Sequence, residues 1–274
     1  MIMKHFLLLL AFLSASLMTV KAQDTDSVDY KLPQTYQRDS VEQYVFAQLP
    51  DTVESPLNET RLVFSAVDKY LPEAWREQAR ADIAENLIGE MEAEDPKPIF
   101  DLYLSLSHTD SLQARVRKTY QKVYEANRRL YPGNVAPDFS FTDTKGATHR
   151  LSELLGKLLL VDIWGTWCVP CIEEIPYLKQ LHEKYGKRTD VRIMSIACDK
   201  QAARWKTFLS KHDMPWHQYL ITPAGDKVLD NVYHVVGIPR FIVVGRDGKI
   251  ISADSMRPSE KEFGKWFDGL VNNK

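Results

Sequence analysis

Leu158 to Trp164 is a near-continuous apolar run, and two cysteines, Cys168 and Cys171, follow it almost at once. A short run with so little polarity predicts a central strand covered on both faces. A helix is expected from about Val169 to Tyr185, so the first sulfur sits at the strand-to-helix junction. There Cys168 meets the positive end of the helix dipole and backbone N–H groups with no partner inside the helix. Both favour thiolate over thiol, and thiolate is the nucleophile. Cys171 lies one turn further on the same face, so the two sulfurs can close a small ring. Pro170 lacks an N–H, but the first turn of a helix has no use for that donor. The spacing therefore predicts an exposed attacking sulfur at Cys168 and a sheltered resolving sulfur at Cys171.

Other uses of two cysteines fit less well. A zinc site needs about four ligands, and the 274 residues hold only three Cys, with no second pair. His149, His182, His212, His217 and His234 are scattered without ligand spacing, so neither a metal nor another cofactor is expected. The net charge is -2, which argues against a nucleic-acid binder relying on a basic footprint.

Two acids reinforce the dithiol reading. Asp162 stands in the middle of the apolar strand, where a charge is costly and its pKa should rise. Glu174 lies one turn beyond Cys171, whereas Glu173 points elsewhere and reads as surface. Either Asp162 or Glu174 could take the proton from Cys171 as that sulfur attacks a mixed disulfide. A further piece is Gly237-Ile238-Pro239, just ahead of the strand at Arg240. A cis proline there would hold a sharp turn, and the Ile238 backbone could pair with an extended client segment. With Trp167 and the dipeptide Val169-Pro170, Ile238 and Pro239 make up the expected client-contacting surface. Trp164 is expected in the core, and Cys198 as a buried or half-buried free thiol.

The rest of the chain divides into three. Residues 1–22 carry Lys4, an apolar stretch from Phe6 to Val20 and Val20-Lys21-Ala22, the pattern of a cleaved signal peptide. The stretch is short for a bilayer span of ~20 residues, and no later segment is apolar enough to cross, so a soluble exported product is expected. Residues 23–132 read as helical, with Val41, Val45, Val63, Val67, Ile83, Leu87, Val116 and Val123 at helical spacing. A capping box is expected from Ser40 and Gln43. Residues 24–131 hold 13 basic and 20 acidic side chains without a catalytic constellation. Their acidic face reads as solvated surface, with partner docking as the sharper alternative. After the breaker cluster Tyr131-Pro132-Gly133-Asn134, residues 133–274 alternate between strands and helices, which predicts a mixed sheet flanked by helices.

Residues from about Val135 resemble the thioredoxin fold, and more specifically the TlpA/ResA-like exported thiol-disulfide oxidoreductases. The resemblance rests on Ala136-Pro137-Asp138-Phe139, on the text from Val161 to Cys171, on Glu174-Ile175-Pro176 and on Gly237-Ile238-Pro239. It implies an α/β thioredoxin-like domain over about half of the chain, and it leaves the separate all-α domain ahead of it unexplained. It also implies Cys168 as nucleophile, Cys171 as resolving thiol, Glu174 as active-site acid and Pro239 as the cis-proline. Asp162 instead matches the buried acid of ordinary thioredoxins, and a chain carrying both acids leaves open which one is the base. Val169 brings no charge where strong oxidants of this fold carry His. That points to a potential nearer ~-270 mV than ~-120 mV. The expected protein is then a periplasmic reductant of protein disulfides, kept reduced by a membrane electron donor of the DsbD/CcdA type. Two alternatives stand beside it: a thiol peroxidase on the same fold, and a non-enzymatic adaptor docking a partner through the helical domain. The first would want a peroxide-activating Thr and Pro upstream, and Thr166 has no matching Pro.

Overall fold

The computed structural model describes residues 31–49, 56–91 and 93–273. The expected signal peptide lies outside them. Contacts divide the chain into two units: one reaches Met91 and resumes over Pro96–Tyr124, and the other takes the stretch between and everything from Glu125. The turn at Tyr131–Asn134 belongs to the second unit. The Gly133 N–H donates to the Ile250 carbonyl at 2.8 Å, and the Ile250 N–H to the Asn134 carbonyl at 2.8 Å.

The first unit consists of α1 (Arg38–Ala47), α2 (Pro56–Tyr70), α3 (Glu73–Gly89), α4 (Lys97–Leu106) and, as far as Tyr124, α5 (Asp110–Asn127). One apolar stripe from each helix meets the others, with Val41, Val45, Val67, Ile83, Ile88, Tyr103 and Val116 fully buried. The expected capping box does not form, because Ser40 lies inside α1 and the extended Gln37 is its N-cap. The helix starts earlier because Arg38 is anchored: it donates to Glu42 and to the Asp82 carbonyl, both at 3.1 Å. Asp82 is a buried carboxylate, supplied with donors by Tyr36, Gln78 and Arg115.

The second unit is a seven-stranded sheet in the order β2-β1-β5-β4-β3-β6-β7. The strands are β1 (Ser140–Asp143), β2 (Thr148–Arg150), β3 (Leu158–Trp164), β4 (Val191–Ala197), β5 (His217–Ile221), β6 (Arg240–Val244) and β7 (Ile250–Ser252). β3, β4 and β5 run parallel, while β6 pairs antiparallel with β3 and β1 with β5. The helices are α6 (Val169–Tyr185), α7 (Ala202–Lys211), α8 (Pro223–Asn231) and α9 (Phe263–Asn272). Successive strand side chains point to opposite faces, and β3 feeds two cores accordingly. Leu158, Leu160 and Trp164 join α6, Trp205 and α9 on one face, whereas Leu159, Val161 and Ile163 join Phe139, Phe141 and Leu229 on the other. Every residue of β3 is buried, as its apolar run requires. This is the expected thioredoxin-like α/β domain. Among the described residues, no helix is long and apolar enough to cross a membrane.

Candidate active site

The two sulfurs stand where β3 hands over to α6. Cys168 is the N-cap of α6, with extended backbone, and the Cys171 N–H donates to its sulfur at 3.2 Å. One of the helix's orphan N–H groups is thus satisfied by sulfur instead of by a Ser or Asp oxygen. Cys168 and Cys171 are joined in a disulfide with a Cα–Cα separation of 5.3 Å.

The approach to Cys168 is a tight loop. The Cys168 N–H donates to the Gly165 carbonyl at 3.0 Å, and the Trp167 indole folds back over Gly165. A Cβ at Gly165 would sit 2.9 Å from Trp167 Nε1 and 3.3 Å from Ile238 Cδ1, so glycine is needed there for close approach. Thr166 fixes the loop from below. Its N–H donates to Asp199 Oδ2 at 2.9 Å and its hydroxyl to the other Asp199 oxygen, and both residues are buried.

The Ile238–Pro239 peptide bond is cis, and the Ile238 carbonyl oxygen lies 3.6 Å from Cys168 Sγ. Residues distant in sequence therefore meet at the sulfur. The expected exposure of the attacking sulfur is not found: Cys168 is only 5% exposed, close to the 3% of Cys171. The Ile238 loop lies against it, and its sulfur is bonded to that of the buried Cys171. What the surface offers around the disulfide is Trp167 at 56%, Val169 at 66% and Val236 at 88% exposure. Pro170 is also exposed, and Ile238 and Pro239 are half-buried.

The two acids sit in separate hydrogen-bonding nests. Asp162 lies between Leu160 and Trp164 on β3, so it points into the core that also holds both cysteines. It is buried, and its Oδ2 accepts from the Ser195 hydroxyl at 2.7 Å. Ser195 Oγ in turn accepts from Trp216 Nε1 at 2.7 Å. Burial pushes the Asp162 carboxyl up to about 7. The Ser195 hydrogen bond works against that rise, and the nearby Glu174 charge adds to it. Glu174 is also buried, and both its oxygens are occupied by Ser259, which donates its N–H at 3.0 Å and its hydroxyl at 2.6 Å. Glu173 is exposed. Cys198, just past β4, is a half-buried free thiol; burial, reinforced by the charges of Asp226 and Asp199, pushes it up to about 12.

Sequence reasoning missed Ser195, Trp216, Thr166, Asp199 and Ser259 as parts of this site. Ser195 carried the same signal as Asp162, a polar residue inside an apolar strand run, and the two are register partners. Thr166 and Asp199 follow the ends of adjacent parallel strands, a relation visible once β3 and β4 are paired. Ser259 is a loop residue in no periodic pattern.

A family model described as Redoxin matches residues 131–262. The thiol-disulfide oxidoreductase ResA of Bacillus cereus (strain ATCC 10987 / NRS 248) is 31% identical over 152 residues, which are 56% of this chain and 86% of the relative. ResA of Geobacillus kaustophilus (strain HTA426) is 30% identical over 131 residues, covering 48% of this chain and 73% of its own. The solved thioredoxin domain of a thiol-disulfide oxidoreductase from Bacteroides vulgatus is 28% identical, with a TM-score of 0.47; the match covers 52% of this chain and 98% of that one. The Redoxin match leaves the helical unit outside. Through its sheet-bearing unit, the chain belongs to the ResA family of thioredoxin-like thiol-disulfide oxidoreductases.

Proposed function

We propose that this protein is an exported, periplasmic reductant of protein disulfides, working through the Cys168-Val169-Pro170-Cys171 dithiol. The observation that carries the reading is the placement of Cys168: its sulfur receives the Cys171 N–H and lies against the carbonyl beside the cis-proline. In the reduced state, the Cys168 thiolate attacks one sulfur of a client disulfide. A Cys168–client bond forms and the other client sulfur leaves as thiolate. The Cys171 thiol then gives its proton to a buried carboxylate, and its thiolate attacks Cys168 Sγ. The second client sulfur leaves, and the Cys168–Cys171 disulfide closes. Two electrons pass from the dithiol to the client. Trp167, Val169, Pro170, Ile238 and Pro239 form the surface against which an extended client segment lies, with the Ile238 backbone as its edge partner.

The cycle then needs an external dithiol, and a membrane electron donor of the DsbD/CcdA type suits an exported reductant. The uncharged Val169 supports a reducing potential. A thiol peroxidase gains no support, because the Thr166 hydroxyl is already spent on Asp199. Expression of Cys171→Ser in the native host tests the reading. A client bound through Cys168 should accumulate in the periplasmic fraction, since the resolving attack is lost. No trapped adduct there, or a potential above about -150 mV, would contradict it.

A further inference from the structure

The chain carries two buried acids near one dithiol, each with its own hydroxyl partner. Both Glu174 oxygens are engaged by one residue, Ser259, through an N–H and a hydroxyl. Asp162 is held differently. Among the described residues, it receives one hydrogen bond, on Oδ2, from Ser195. Trp216 Nε1 can only donate, so Ser195 Oγ must accept there, which leaves the single Ser195 proton for Asp162. Asp162 and Ser195 are register partners in parallel strands, and both are buried. Trp216 belongs to the core that includes Cys168 and Cys171.

We infer that Ser195 and Trp216 are positioning residues, which hold the Asp162 carboxyl as the acceptor for the Cys171 proton and set the pH at which the resolving step turns on. The inference rests on the disulfide-exchange reading above and goes beyond it by choosing between the two acids. A hydroxyl donated to a carboxylate stabilises the charged form, so this chain tempers the cost of burying Asp162 without neutralising it. The indole polarises the hydroxyl and fixes its direction. Among the described residues, three strands or their flanks set groups around Asp162. β4 contributes Ser195, the residue ahead of β5 is Trp216, and β6 sets Phe241 opposite. Among the described residues, α6 contributes Glu174, whose charge acts on Asp162, and Cys198, which follows β4, feels the Asp162 charge; in the reduced state Cys171 joins them. The proton leaves Cys171 as its sulfur bonds to Cys168, resides on Asp162, and is returned to solvent or to the departing client thiolate.

The test follows the resolving step alone. Reduced full-length protein is mixed with oxidised glutathione, and release of glutathione from the Cys168 adduct is timed between pH 5 and 9. The wild-type rate should rise with pH and level off once Asp162 is ionised. Ser195→Ala removes the donor, favours the protonated acid and should move that break upward by about one pH unit. Trp216→Phe should move it the same way by less, Ser195→Thr should keep it in place, and Asp162→Asn should abolish it. A break unmoved in both Ser195→Ala and Trp216→Phe, or moved as far by Ser195→Thr as by Ser195→Ala, would overturn the inference; should Ser195→Ala not fold, Trp216→Phe decides. Wild-type protein that never resolves the adduct would overturn the exchange reading instead.

Discussion

At the scale of single residues, two titratable groups make opposite use of burial. Asp162 holds its proton to about 7 in the folded protein, against an ordinary value of 3.8. Well below its ordinary value, near pH 3, the acid is largely neutral whether folded or not, and its burial costs little. As the pH rises toward 7, the unfolded chain releases this proton and the folded one keeps it, so stability is lost through that window. Asp162→Asn should therefore gain on wild type between about pH 3 and pH 8, by at most about 4 kcal/mol. Urea unfolding at both pH values measures this, and an unchanged difference would contradict the burial argument. Cys198 is the inert counterpart. With its thiol pushed up to about 12 it carries almost no thiolate near neutrality. Iodoacetamide at pH 8 should modify Cys168 in the reduced native protein and reach Cys198 only after denaturation. Equal labelling rates would contradict that.

At the scale of elements, the site depends on how two parallel strands end. Asp199, just past β4, accepts both the N–H and the hydroxyl of Thr166, just past β3. Asp199→Ala strands two buried donors and should destabilise the sheet-bearing unit by about 2–3 kcal/mol, read as a lower urea midpoint. It should also slow exchange, because the loop leading to Cys168 loses its support. The helix head bearing Cys168, the fully buried β3 and the turn at Ile238-Pro239 were legible in the sequence, since each is a local pattern of apolar run, cysteine spacing or proline. The hydroxyl partners were not. Ser195, Ser259 and Thr166 gain meaning only through pairing across the sheet or across a loop, which local periodicity does not encode. The misplaced capping box has the same origin: Arg38 binds the Asp82 carbonyl on another helix, and that tertiary contact starts α1 ahead of Ser40. The Ile238 loop, which lies against Cys168, is likewise a distant segment.

At the scale of the whole molecule, the chain combines a helical unit and a redox unit, each with its own core. The helical unit is held by apolar stripes and by the buried Asp82, whose donors come from Tyr36 ahead of α1, Gln78 on α3 and Arg115 on α5. Its acidic surface contributes no group to the disulfide chemistry derived above, which uses residues of the sheet-bearing unit alone. The central claim is that Cys168 attacks and Cys171 resolves, and the products released from oxidised glutathione test it most directly. Reduced wild-type protein should release two glutathiones per chain and finish with the Cys168–Cys171 bond closed. Cys171→Ser should release one and retain the other on Cys168, and Cys168→Ser should release none at a comparable rate. Glutathione held on Cys171 or Cys198, or undiminished release from Cys168→Ser, would contradict the account.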